Sequence, residues 1–135
     1  MERERLLIDA SILIDHLRKT HKEKTVFYQF ASNYDYVISA ITEFEFLVGS
    51  TPQNRQFTEE LLARLPVLPL DSVCVKKATN IYRDLKTKNL LVSLPDIFIA
   101  ATAITYDLKF LTLNRKHFER VVDLRLGEIE EKSGA

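Results

Sequence analysis

The chain alternates short, dense apolar runs with longer stretches in which apolar residues recur every three or four positions. The first run, Leu6-Leu7-Ile8, leads directly into Asp9-Ala10-Ser11 and then Ile12-Leu13-Ile14. Unbroken apolar runs this short read as strands buried on both faces, as in a parallel sheet. By the same criterion Tyr36-Val37-Ile38-Ser39, Val67-Leu68-Pro69-Leu70 and Phe110-Leu111-Thr112-Leu113 are strands, with Val121-Val122-Asp123-Leu124 a candidate fifth. Between them the spacing predicts helices over 11–18, 25–33, 42–49 and 54–64, a long one from Asp71-Ser72 to about Leu85, and one opening at Ser93-Leu94-Pro95-Asp96. Gly49 and then Pro52 stop the third helix, and Pro95 suits a first helical turn, where its missing N–H costs nothing. Strands separated by helices throughout predict an α/β fold on a parallel sheet of four to five strands.

At 135 residues this is a single domain, 1–135, with its core over about 6–124 and a charged tail over 128–135. An apolar fraction of 46% and a charged fraction of 28% fit an ordinary globular protein. No apolar run approaches the roughly 20 residues that span a bilayer, and the first five residues are too acidic for a signal peptide. The lone Cys74 allows no internal disulfide, which points to a reducing cytoplasm. Nineteen basic and nineteen acidic side chains cancel, so no overall basic field announces nucleic acid, although a local cationic rim remains compatible with neutrality. Three glycines leave no room for a phosphate-cradling loop, and no Ser/His/Asp order is visible.

Three acids share one type of position. Asp9 ends the first strand, Glu45 lies in the helix after the second, and Asp96 opens the helix before the fourth. In a parallel sheet the strand ends and helix N-termini meet along one edge, where α/β folds place their ligands. Two carboxylates about 4 Å apart repel by about 4 kcal/mol even at an effective dielectric near 20. A cluster of three therefore calls for shared protons or a cation, and oxygen donors without a His/Cys set point to Mg²⁺ or Mn²⁺. The plainer reading is capping: Asp9 or Ser11 ahead of its helix, Thr42-x-x-Glu45 as a capping box, Ser93-x-x-Asp96 as a looser one. Helical spacing does not separate Glu43 from Glu45.

Four segments carry a resemblance: Asp9-Ala10-Ser11; Ile38-Ser39-Ala40-Ile41-Thr42 with Glu45 and Gly49; Asp96-Ile97-x-Ile99-Ala100-Ala101-Thr102-Ala103; and Leu111-Thr112-x-Asn114 with His117-Phe118. In this order the chain resembles PIN-domain proteins of the VapC type, toxins of toxin–antitoxin pairs, over about Leu6 to Leu124. The resemblance implies a three-layer α/β/α fold with Asp9, Glu45 and Asp96 as catalytic, metal-binding acids, and it selects Glu45 over Glu43 because the family acid precedes its glycine by four residues. Ser11, Thr42 and Asn114 would support them, Asn114 standing where many members carry a fourth acid. It further implies a Mg²⁺- or Mn²⁺-dependent endoribonuclease, hydrolysing RNA with water and without attack by the 2′-hydroxyl. An antitoxin peptide would cover the groove, and a homodimer would use the helices over 25–33 and 54–64, where Phe27, Tyr28 and Phe57 would suit an interface, with core packing their default reading.

Cations must hold RNA beside such a pocket; Arg115 and Lys116 are best placed, with Lys76, Lys77, Arg83, Lys86 and Lys88 second. His117 is expected to pack beside Phe118, and Tyr34 and Tyr36 to be packing residues before base-stacking ones. Three alternatives stay open: a structure-specific DNA nuclease, a catalytically weak PIN-fold module binding nucleic acid or protein, and a signalling domain phosphorylated on Asp9. Asn114 favours the second; no Lys at a late strand end supports the third.

Overall fold

The computed structural model describes residues 3–129; of the charged tail over 128–135, residues 130–135 lie outside the described part. Four strands, β1 (Glu4–Ile8), β2 (Tyr34–Ser39), β3 (Val67–Leu68) and β4 (Lys109–Leu111), form one wholly parallel sheet in the order β3-β2-β1-β4. The register sets Leu7 beside Val37 on one side and Phe110 on the other, and Ile8 beside Leu111. Strand side chains alternate between faces, so the two faces feed two cores. Leu7, Val37 and Phe110 face α5 (Ser72–Thr87) and α6 (Leu94–Thr105), through Ala78, Ile81, Leu85, Ile97 and Ala100. Leu6, Ile8, Tyr36, Ile38 and Leu111 face α1 (Ala10–Arg18), α2 (Val26–Phe30), α3 (Ala40–Val48) and α4 (Arg55–Ala63). A short α7 (Arg115–Phe118) follows β4 and buries Phe118 edge-on against Phe110, ring centroids 4.7 Å apart.

The expected three layers and parallel sheet are present, with four strands. Residues 121–124 form no strand: Asp123 takes a left-handed φ of 72°, which breaks an extended run. The segment just beyond it reaches the sheet instead, through an isolated parallel bridge from Leu126 to Phe110. Helix α3 begins at Ala40, two residues before the sequence pattern places it, because Ser39 is the cap: its Oγ accepts the Thr42 N–H at 3.0 Å and donates to Thr42 Oγ1 at 3.1 Å. Thr42 and Glu45 therefore form no capping box. The second helix is also shorter than its pattern, ending at Phe30.

The strand order places β1 between β2, which follows it in the chain, and β4, which the chain reaches only after crossing the sheet. The connections on either side of β1 run over opposite faces, which opens a crevice at its carboxyl end. Asp9 is the first residue beyond that end.

Candidate active site

Asp9 is 5% exposed and holds one of the most heavily bonded side chains of the protein. Its Oδ1 accepts from the Ser11 N–H at 3.1 Å and the Ser11 hydroxyl at 2.5 Å; its Oδ2 accepts from the Thr112 hydroxyl at 2.6 Å. Each hydroxyl is itself aimed by a backbone N–H from the loop after β4: Leu113 donates to Ser11 Oγ at 2.9 Å and Asn114 to Thr112 Oγ1 at 3.0 Å. The capping reading is met, since Asp9 caps α1, while its second oxygen is held by the residue that follows β4. Burial pushes the Asp9 carboxyl above its ordinary range, opposed by the bonds from Ser11 and Thr112.

Glu45 stands in the second turn of α3. Its carboxyl is also raised, first by burial and then by the negative charges of Asp96 and Asp9. The three acids named from the sequence therefore share one electrostatic neighbourhood. The Glu45 residue is nonetheless largely exposed at the rim of a cleft of about 460 Å³, lined by Ile14, Leu17, Arg18, Phe46 and Asn54.

Asp96 opens α6 behind Pro95, and its backbone N–H is capped by Ser93 Oγ at 3.4 Å. Only that half of the expected capping box exists, because the Asp96 carboxylate turns elsewhere: Oδ2 stands 3.3 Å from His117 Nδ1. His117 is not packed beside Phe118 as the sequence suggests; it is exposed on the other side of α7 and reaches the site.

The other candidates divide. Thr42 is fully buried beneath α3 and supports Ser39. Asn114 contributes its backbone N–H, and its side chain makes no capping bond at the head of α7. Arg115 is committed to the fold: it donates to the Gly127 carbonyl at 2.5 Å and lies 3.9 Å from both Glu119 and Glu128. Lys116, beside it, is exposed. Among the second-rank cations, Lys88 pairs with Asp84 at 3.0 Å and Lys86 lies over the Tyr82 ring. Tyr36 is buried and donates to the Phe27 carbonyl, and Tyr34 packs against Phe30. Phe27 and Phe57 are half-buried on either side of His16, packed against the core, so of the three aromatics named above only Tyr28 is exposed. Apolar side chains that do face outward include Phe44, Leu47 and Val48 on α3, and Val73, Val75 and Leu94 on α5 and α6.

Sequence reasoning gave no role to Thr112 and misplaced His117. Thr112 was legible in principle: it follows Leu111 as Asp9 follows Ile8, and those two residues are register partners. The missing fact was that β4 neighbours β1.

The donor chemistry suits a hard divalent cation: three carboxylates, neighbouring hydroxyls and no thiol. The repulsion that raises Glu45 is what such a cation relieves. Among the described residues, no three His, Cys, Asp or Glu side chains already stand at joint ligating distance.

Residues 6–124 match the PIN domain family. Ribonuclease VapC1 of Methanocaldococcus jannaschii is 30% identical, over 93% of this chain and 87% of its own length. A DNA-bound VapBC structure from Salmonella typhimurium superposes with a TM-score of 0.78 at 25% identity, covering 92% of this chain and 97% of the other. VapBC-5 from Mycobacterium tuberculosis, a member of the VapBC family of toxin–antitoxin systems, gives 0.68 at 20% identity over 94% and 98%, a likeness of fold alone. The chain belongs to the PIN-domain family, in its VapC group.

Proposed function

We propose that this protein is a Mg²⁺- or Mn²⁺-dependent endoribonuclease and the toxin of a type II toxin–antitoxin pair, working in the cytoplasm. What supports the reading is the placing of Asp9 at the β1 end, buried and held by Ser11 and Thr112, with Glu45 raised first by burial and then by the charges of Asp96 and Asp9. The names of its relatives, ribonucleases and VapBC assemblies, support the same reading. A bound divalent cation supplies a polarised water and positive charge against the phosphodiester oxygens.

The chain's own residues do the rest. Ser11 and Thr112 hold both oxygens of Asp9 in one orientation, so that it meets a cation without reorganising. Glu45 and Asp96 complete the donor set from two other elements, and Lys116 offers an exposed cation for the RNA backbone. The cleft beside Glu45 suits an antitoxin peptide, and the outer face of α3, with Phe44, Leu47 and Val48, suits a second copy in a homodimer.

The test is cleavage of matched RNA and DNA panels with Mg²⁺, Mn²⁺ or EDTA by the wild type, Asp9→Asn and Asp96→Asn. Metal-dependent RNA cleavage that both substitutions abolish is the expected result. Preferential DNA cleavage would make the chain a DNA nuclease, and no cleavage by folded, antitoxin-free protein would make it a binding module.

A further inference from the structure

His117 has the geometry of a residue that works through Asp96. It sits on α7, whose direction is fixed by Phe118, 1% exposed and packed edge-on against Phe110 in the main core. The His117 N–H is bonded to the Asn114 carbonyl at 3.2 Å, and Asn114 in turn donates to Thr112, the partner of Asp9. The imidazole is thus carried by the same post-β4 loop that holds Asp9. On the other side, Asp96 is fixed at the head of α6 by Pro95 and the Ser93 cap, leaving rotation of the carboxylate as its main freedom. His117 Nδ1 stands 3.3 Å from Asp96 Oδ2, just beyond the usual hydrogen-bond distance.

We propose that His117 is a positioning residue for the cation site: its Nδ1–H donates to Asp96 Oδ2 and leaves Oδ1 as the ligating oxygen. A carboxylate oxygen only accepts, so the pairing requires the proton on Nδ1, and that proton keeps Nδ1 from ligating a cation directly. Ligating carboxylates depend on hydrogen-bonded partners of this kind, whose removal typically costs 10–100-fold in metal affinity. The inference rests on the metal-dependent reading above and adds to it which residue orients Asp96.

The measurement is Mn²⁺ affinity of the whole chain by calorimetry or by Mn²⁺ paramagnetic resonance, without RNA, for wild type, His117→Ala and His117→Asn. Thermal melting in EDTA checks folding, which the exposed position of His117 leaves intact. His117→Ala is expected to weaken Mn²⁺ about 10–100-fold. His117→Asn, whose amide nitrogen takes the place of Nδ1, recovers most of the affinity. Wild-type affinity in His117→Ala, or tighter binding, overturns the inference while leaving the cation site standing, as does an equal loss in both variants. A wild-type protein that binds no Mn²⁺ overturns the metal-dependent reading and this inference with it.

Discussion

Replacing Thr112 with Val removes one hydroxyl of nearly unchanged volume from the most enclosed part of the site. Thr112 is fully buried, and its Oγ1 donates to Asp9 Oδ2 at 2.6 Å while accepting the Asn114 N–H at 3.0 Å. Asp9 keeps Ser11 on its other oxygen but leaves Oδ2 without a donor where water hardly reaches. A hydrogen bond to a buried charged group is worth about 1.5–3 kcal/mol. For a domain of this size each kcal/mol moves Tm by about 3–5 °C, so Thr112→Val should melt roughly 5–15 °C below wild type in EDTA at neutral pH. The bond favours the ionised carboxylate, so it lowers the Asp9 pKa, and the stability it contributes is present at high pH and lost on acidification. Burial has already placed that pKa above 3.8, so the gap between variant and wild type should begin to close before the ordinary carboxylate range is reached. Melting curves against pH, repeated in an Asp9→Asn background, measure the coupling directly. A loss that is independent of pH, or equally large in the Asp9→Asn background, would mean that Thr112 acts by packing and that the Asp9 bond carries nothing.

Glu45→Gln should separate the folding role of the cluster from its binding role. A pKa raised on folding disfavours the charged fold, so in EDTA the wild type should lose stability relative to Glu45→Gln as pH rises above about 4.5, with Mn²⁺ reversing the order; melts with and without Mn²⁺ read both. Lys116→Ala should weaken RNA binding and reduce its salt slope by about one. Arg115→Ala should leave that slope unchanged and instead speed amide exchange at Gly127, whose carbonyl Arg115 holds.

Much of the fold was legible because each strand is an apolar run ended by a polar residue and each helix has its own periodicity. What failed was local competition. Thr42 looks like a cap three residues before Glu45, but Ser39 lies three before Thr42 and takes the role at the end of its strand. Val121-Val122 has strand composition, yet Asp123 turns left-handed immediately afterwards and only Leu126 reaches β4. The acids were legible one by one, as three carboxylates in equivalent positions. Their partners were not, because Thr112 meets Asp9, and His117 meets Asp96, only through the order of strands and the anchoring of Phe118.

The way the sheet ends has its own consequence. On one side β3 is only two residues long, and on the other the free edge of β4 is covered by the segment after Leu124, with Phe110 donating to the Arg125 carbonyl and Gly127 donating back to the Phe110 carbonyl. Among the described residues, neither margin offers a ladder that another chain could extend. Among the described residues, strand addition therefore finds little backbone to pair with at either margin of the sheet. Deleting the segment over 125–127 would leave the Phe110 N–H and carbonyl at that margin without these partners, so these residues close the edge of the sheet as well as finishing the fold.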